Sequence, residues 1–527
     1  MMRAAPNAGD GGSYPRGGDY RTILSGTAQN VVGIGVAAAA LLVIQVLMTR
    51  TLGSAGYGVV TVLSQAAFVA SFATRAGMDM AVLRDVAVDA GTGEWRRIRG
   101  TVARATWIAL AVSAAIAALL VVFADPISRV FNVDPTEHPW AVEVAAVGLP
   151  FLAVTNVWLA ATRGLKIMRY TLYIFWAGQN LLWILLTLLL WTVSTTATAS
   201  IAAYSLSWAA ASAAAWLSWR RESRTWEIAP PEAGWLGKLV RYAGPRAPAA
   251  LFAQLLFWTD LFVLTYFVSD SEVGVYSAAL RAGQVVMLFL TSVNLMFGPY
   301  VADLYNRGQH SRLDDLYKTL TRWLVAATLP VFALIAIAPD AVMSLFGSDF
   351  ADAGRTALLI LLAGQLANVA TGSAGFILIM VGRTGWDLLV YVSSLVLDVV
   401  LAIWLCSRYG IEGAALANAI TFTVSNLFRL TLVYRFVRIQ PYDARYARLL
   451  IPGAAAAGVM WAGQRLLDAR SPLDLAILGI LGGIVYFGAY LVAGLTPQER
   501  TGLNSLVTKL RSRRAGTPEA GESSKSQ

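Results

Sequence analysis

LGSAGYGVVTVLSQ (residues 52–65) ends one apolar segment, turns, and opens the next; VSDSEVGVYSAALR (268–281) does the same again, with Gly274 aligned on Gly58 at an offset of 216 residues. A second echo pairs SIAAYSLSWAAASA (200–213) with EGAALANAITFTVS (412–425). The offset spans six apolar segments. Six is even, so two such copies would share one orientation in a bilayer and be related by an axis along its normal. The reading of these stretches therefore decides between a string of unrelated helices and a duplicated six-helix unit.

Working outward, the composition fixes the solvent. The chain has 527 residues, 57% hydrophobic and 14% charged, with a mean hydropathy of +0.60. Soluble domains carry roughly 25% charged residues, and apolar runs near 20 residues mark bilayer spans. Fourteen such runs follow one another: 28–49, 57–75, 102–123, 140–161, 171–193, 198–218, 246–267, 275–297, 323–345, 356–381, 386–406, 411–434, 449–467 and 473–495. The expected fold is an all-α polytopic membrane protein of about 14 transmembrane helices. Its expected parts are a flexible cytoplasmic tail (1–27), a first six-helix lobe (28–218), a cytoplasmic linker (219–245), a second lobe (246–434), two extra helices (449–495) and a basic cytoplasmic tail (496–527). Residues 1–27 do not read as a signal peptide, because the apolar run behind them is too long and the basic flank is diffuse.

Charge sets the orientation. With the N-terminus in the cytoplasm, 33 of the 41 Lys and Arg fall on that side and six on the other. This is the positive-inside pattern, and it places both termini in the cytoplasm of a cell bearing the protein in its plasma (inner) membrane. It also explains the net charge of +10 without nucleic acid. The loops on the outer side hold about 16 residues at most, so function must lie in the helices and short turns. One cysteine, Cys406, excludes an intrachain disulfide, and two histidines, His138 and His310, exclude a multi-His metal site. No cofactor is expected.

Several stretches carry a family resemblance: YAGPRAPAALFAQLLFWTDLFVL (242–264), VGVYSAALRAGQ (273–284), FGPYVADLY (297–305), LFGSDFADAG (345–354) and YGIEGAALANAIT (409–421), with LGSAGYGVVTV (52–62) and MAVLRDVA (80–87) in the first half. Together, over residues 25–495, the chain resembles polysaccharide flippases, the O-antigen and exopolysaccharide repeat-unit exporters of the multidrug/oligosaccharidyl-lipid/polysaccharide exporter superfamily. The resemblance implies two six-helix lobes in a V-shaped arrangement plus two extra helices. It also implies a polyprenyl-pyrophosphate-linked oligosaccharide as cargo, turned from the inner to the outer leaflet.

Charges inside spans are costly, roughly 2.5–3.5 kcal/mol each at a helix centre, so each needs a partner or a purpose. Asp260, in LLFWTDLFVLTYF (255–267), lies about 10 Å below the outer surface, and Arg281 on the next helix lies at about the same depth. Their matched depth suggests an ion pair that fixes a helical hairpin, or a charge in the cargo cavity. Asp398 has no in-span cation at its own depth; it is a candidate coupling site for H⁺ or Na⁺, against the plainer reading of a polar helix contact. Arg429 is expected to snorkel to the cytoplasmic surface. An anionic headgroup needs cations where it loads, and Arg75, Arg84 and Arg246 stand at the cytoplasmic ends of spans, where topology anchoring is the alternative. Buried amides such as Gln365, Asn368, Asn418 and Asn426 suit sugar hydroxyls or helix contacts equally.

Four functions compete. A lipid-linked oligosaccharide flippase accounts for all fourteen runs. A peptidoglycan-precursor flippase is hard to separate from it. An ion-coupled multidrug antiporter would stop at twelve spans and keep an acidic site in spans one to six, where none lies near the midplane. A membrane enzyme would need clustered carboxylates, metal ligands or a sizeable outer loop, and the expectation is that the chain is not an enzyme.

Overall fold

The computed structural model describes residues 16–227, 250–496, 499 and 500, with residues 234, 237 and 248. Nine helices among these residues are long and apolar enough to cross a bilayer. The principal helices are α1 (Arg16–Thr74), α2 (Met78–Thr92), α3 (Trp95–Val122), α4 (Leu149–Gly164), α5 (Gln179–Trp191) and α6 (Ala197–Ser223) in the first half. The second half holds α7 (Thr259–Leu264), α8 (Asp270–Gln284), α9 (Leu288–Asn306), α10 (His310–Ile337), α11 (Ser348–Ala370), α12 (Thr384–Val437), α13 (Leu450–Leu467) and α14 (Pro472–Ala489).

Two of these helical runs contain breaks, and in both the cause is glycine. Gly53 takes φ 68°, ψ −174° within α1, and Gly410 takes φ 53°, ψ −125° within α12. A side chain disfavours such backbone strongly, so each glycine is where the chain can reverse. The runs at 28–49 and 57–75 are therefore two arms of α1, and those at 386–406 and 411–434 two arms of α12. Three expectations are corrected. Helix α1 starts at Arg16, so residues 16–27 are helical rather than tail. Helix α6 continues to Ser223, into the expected linker. The run 246–267 is not one helix, because a turn at 256–258 separates helical residues 250–255 from α7.

The halves meet where α1 packs on α8 and α9. A Cβ placed on Gly274 would stand 2.0 Å from the Ser54 carbonyl oxygen, and one on Gly58 would stand 2.4 Å from the Asp270 carbonyl oxygen. Only the absence of side chains lets the two backbones cross this closely. The two contacts exchange under the 216-residue offset, since Gly58 maps onto Gly274 and Ser54 onto Asp270. A two-fold axis through the crossing requires that exchange. Ser54 and Ser271 share a hydrogen bond of 2.5 Å beside it, Arg50 donates to the carbonyls of Leu345 (3.1 Å) and Ser344 (3.3 Å), and the rings of Phe131 and Phe262 stand edge to face with centroids 5.7 Å apart.

Helices α13 and α14 pack on each other and on α10. Tyr486 of α14 donates to the Ala326 carbonyl at 2.6 Å. Beyond α14, Thr496 and Glu499 cap each other: the Thr496 amide donates to Glu499 at 2.7 Å and the Glu499 amide to the Thr496 hydroxyl at 3.4 Å. The same carboxylate accepts from Arg322 and Trp323 of α10, and Arg448 donates to the Leu495 carbonyl at 2.8 Å. The Arg322 side chain is 3% exposed, so Glu499 is the anion that makes its burial tolerable. Glu499→Ala should cost about 3–5 kcal/mol by stranding that charge, read as a lowered Tm of the purified protein. Glu499→Gln, which keeps the cap but not the charge, should fall between the two; an unchanged Tm for the alanine variant would contradict the clasp.

Candidate functional site

The break at 256–258 positions the most deeply buried carboxylate. Asp260 sits in the first turn of α7 with 0% exposure, packed against α12. Its Oδ2 accepts from the Tyr276 hydroxyl of α8 and from Asn418 Nδ2 of α12 at 3.0 Å, while Oδ1 has no partner. Asp398, on the other arm of α12, is 1% exposed, lies within electrostatic reach of Asp260, and neighbours Thr421. Neither Asp398 oxygen has a geometrically formed hydrogen bond, and the Asn418 Oδ1 and Thr421 Oγ1 atoms are equally unpartnered. Neither carboxylate has an ion-pair partner among the described residues, and a buried charge without one is costly. The unpartnered oxygens suit a proton or one small cation. Among the described residues no group of three or more His, Cys, Asp and Glu could hold a metal ion, so any cation here would also use amide and hydroxyl oxygens.

The expected Asp260–Arg281 pair does not form. Tyr276 occupies the face of α8 turned to Asp260, and Arg281 follows five residues later, about 140° further round the helix. Depth alone suggested the pair; helical angle forbids it. The Arg281 guanidinium instead lies over the Trp258 ring, 4.6 Å from its centroid, with Tyr57 of α1 and Tyr204 of α6 as its electrostatic neighbours. Its Nε is buried without a hydrogen-bond partner. Arg281 thus stands between the two halves, on the same helix as the crossing and seven residues beyond Gly274.

The other basic candidates divide. Arg75 is 4% exposed and engaged at each nitrogen: Nε donates to the Ser71 carbonyl (2.9 Å), one terminal nitrogen to Asp79 (3.0 Å) and the other to the Ser71 hydroxyl (3.0 Å). It ties α1 to α2, with three of its five N–H groups committed. Arg84 lies on the exposed face of α2. Arg246 lies outside the described residues. Arg163, at the end of α4 near Asp79 and Arg75, was not singled out from sequence, and its Nε is buried without a partner. Arg429 is also corrected: it is 8% exposed, 3.6 Å from Asp387, and over the Tyr391 ring rather than snorkelling. Tyr57, Tyr204, Trp258 and Tyr276 are the site residues that sequence reasoning missed. Aromatics in apolar runs carry no signal of their own.

This fold, two halves of membrane helices meeting at a crossing, is found in solved exporters of the multidrug/oligosaccharidyl-lipid/polysaccharide superfamily. The lipid II flippase MurJ in an inward closed conformation matches with a TM-score of 0.68 at 12% identity, over 88% of this chain and 98% of that one. A variant of the Vibrio cholerae MATE transporter VcmN matches with a TM-score of 0.58 at 12% identity, over 79% of this chain and 98% of that one. The profile described as "Polysaccharide biosynthesis protein" matches residues 23–304, and the MatE profile matches residues 245–404. The chain belongs to the polysaccharide biosynthesis protein family, and is a multi-pass membrane protein. Its curated relatives include two from Haloferax volcanii. The probable low-salt glycan biosynthesis flippase Agl15 is 26% identical over 47% of this chain and 52% of its own length. The probable flippase AglR is 23% identical over 45% and 50%. The chain thus spans about half the length of the curated relatives it matches.

The absent ion pair gives a sharp test. Exchanging the charges, Asp260→Arg with Arg281→Asp, should fail to restore whatever activity either single change removes, because the two groups have other partners in this structure. Tyr276→Phe should cost about 1–3 kcal/mol by removing a donor from a buried carboxylate, measured as thermal unfolding. Rescue by the swap, or an unchanged Tm for Tyr276→Phe, would contradict the geometry.

Proposed function

We propose that this chain is a flippase that carries a polyprenyl-pyrophosphate-linked oligosaccharide repeat unit from the inner to the outer leaflet by alternating access, for polysaccharide biosynthesis. The observation that carries the reading is the crossing of α1 and α8 at Gly58 and Gly274. It joins the halves at one end through closely approaching glycines, hydrogen bonds and a flanking set of rings, a compact contact at which two rigid bodies could meet and part. The positive-inside orientation puts that end outside, so the described form is closed to the exterior. Arg281 stands just inside it. A guanidinium on an aromatic face, with donors unused, is suited to an anionic diphosphate arriving between the halves.

The named relatives support glycan cargo, since both Haloferax proteins are called probable flippases and one is named for glycan biosynthesis. Asp260 and Asp398 supply a place for the driving cation, H⁺ or Na⁺, whose binding would bias one form over the other. A peptidoglycan-precursor flippase would present the same diphosphate to Arg281, and cargo competition distinguishes it.

Loss of the gene should leave undecaprenyl- or dolichyl-type diphosphate glycan on the inner leaflet; unchanged glycan export with lost drug resistance would contradict the proposal. With Cys406→Ser as background, the pair Ser54→Cys and Ser271→Cys should crosslink on oxidation, halt export, and recover on reduction. Export that continues in the crosslinked protein would show that the crossing does not open. Arg281→Ala should lower export at least about tenfold, a loss of about 1.4 kcal/mol of cargo stabilisation, with Arg281→Lys losing less.

A further inference from the structure

The mechanism above leaves one buried feature unused. The two arms of α12, reversed at Gly410, face each other along polar stripes. On the first arm Asp387, Ser394 and Asp398 lie at positions i, i+7 and i+11, within about 40° of one helix face. On the second, Thr421, Ser425 and Arg429 follow at i, i+4 and i+8. All six are buried, whereas Val392, Val396 and Val400 on the first arm and Val424 and Leu427 on the second are exposed, from 38% to 59%. The stripes therefore point into the protein and the valines toward lipid. Successive polar groups are about 6 Å apart along the second arm, a gap one water molecule bridges.

Helix-to-helix adhesion would leave such groups satisfied on each other. Here they are not. Both oxygens of Asp398, the Thr421 hydroxyl, Asp387 Oδ1, and Nε and one terminal nitrogen of Arg429 are buried without a hydrogen-bond partner. Arg429 holds its position through Ser425 (3.0 Å) and the Tyr391 ring (4.6 Å), and its approach to Asp387 is 3.6 Å, attractive but not hydrogen-bonded. Unsatisfied atoms at intervals along a buried stripe are the ones that a hydration chain uses. A fixed guanidinium at the far end is the device that bars cations from such a chain.

We propose that the facing stripes of α12 form a path for a small monovalent cation, H⁺ or Na⁺, between the Asp260–Asp398 site and the cytoplasmic end of the helix pair, closed at rest by Arg429 held against Asp387. The path gives the cation a way out that does not cross the cargo cavity. When H⁺ is the ion, it leaves an Asp398 carboxyl for water, a carboxylate remains, and the proton reaches the cytoplasm as Arg429 moves aside. This rests on the coupling role given to Asp260 and Asp398.

The test uses the full chain in proteoliposomes without cargo, with pyranine inside to report H⁺ and ²²Na⁺ to report sodium. Arg429→Gln should raise passive flux of one of the two ions at least about tenfold by removing the electrostatic barrier, and adding Asp398→Asn should return it to the wild-type level. A folded Arg429→Gln protein, with the wild-type elution profile, that leaks neither ion overturns the path. If that variant does not fold, Ser394→Val decides, since it narrows the stripe and keeps the ion pair. It should slow cation-driven cargo transport about tenfold with cargo binding unchanged; unaltered transport overturns the path. Asp398→Asn alone separates the two ideas. Cargo transport that keeps its ion dependence in that variant refutes the coupling site, whereas lost dependence beside a silent Arg429→Gln refutes only the path.

Discussion

Everything in this architecture depends on two backbones passing at a distance that no side chain permits. Gly58 and Gly274 hold α1 and α8 so close that a Cβ on either would overlap a carbonyl of the other helix. The contact is self-complementary: each half offers the other the same glycine and the equivalent carbonyl. Such a contact gains close backbone packing, and it is flanked by apolar side chains of both halves, Tyr57 against Phe350 and Phe131 against Phe262. It closes one end of the protein without welding it. The charged residues that matter most are arranged around that closure, with Arg281 turned into the space between the halves and Asp260 turned away from it.

The two halves share a backbone plan but not a chemistry. The second half buries two carboxylates near each other, together with an Asp387–Arg429 pair and a file of polar side chains on α12. The first half answers with Arg75, Asp79 and Arg163 near the end of α4, and with aromatic rings facing Arg281. In the proposed mechanism this asymmetry divides the labour: cation handling falls to the second half, and the first contributes the wall against which cargo is held. Helices α13 and α14 are fastened to α10, and so to the second half, by Tyr486 and by the Glu499 clasp.

How much of this was legible in the sequence differs by feature, for physical reasons. Membrane class and the approximate course of the helices follow from apolar run length, because the bilayer imposes a minimum. The glycine crossing was visible as a repeat, since Gly58 and Gly274 align at the same offset that relates the halves. The Asp260 environment was not. Depth along a helix can be counted, but the angle between neighbouring helices cannot, and Tyr276 rather than Arg281 occupies the facing position. The break before Asp260 contains neither glycine nor proline, so LLFWTD reads as continuous helix. Arg429 was misplaced because snorkelling assumes that nothing inside the protein will receive the charge, and Asp387 does. Arg246 lies outside the described residues, and its expected role stays a proposal.

The central claim is that the halves move as bodies about the Gly58–Gly274 closure in response to the cation held by the second half. It is tested most directly by pulsed electron paramagnetic resonance distances across both ends of one preparation. Spin labels at Thr195 and Asp352 report the end that holds the crossing, and labels at Thr92 and Asn306 the opposite end; all four sites are exposed. When H⁺ or Na⁺ is varied, the account predicts that one distance lengthens as the other shortens, and that Asp398→Asn abolishes the response. Two distances that stay fixed, or that change in the same sense, would contradict it.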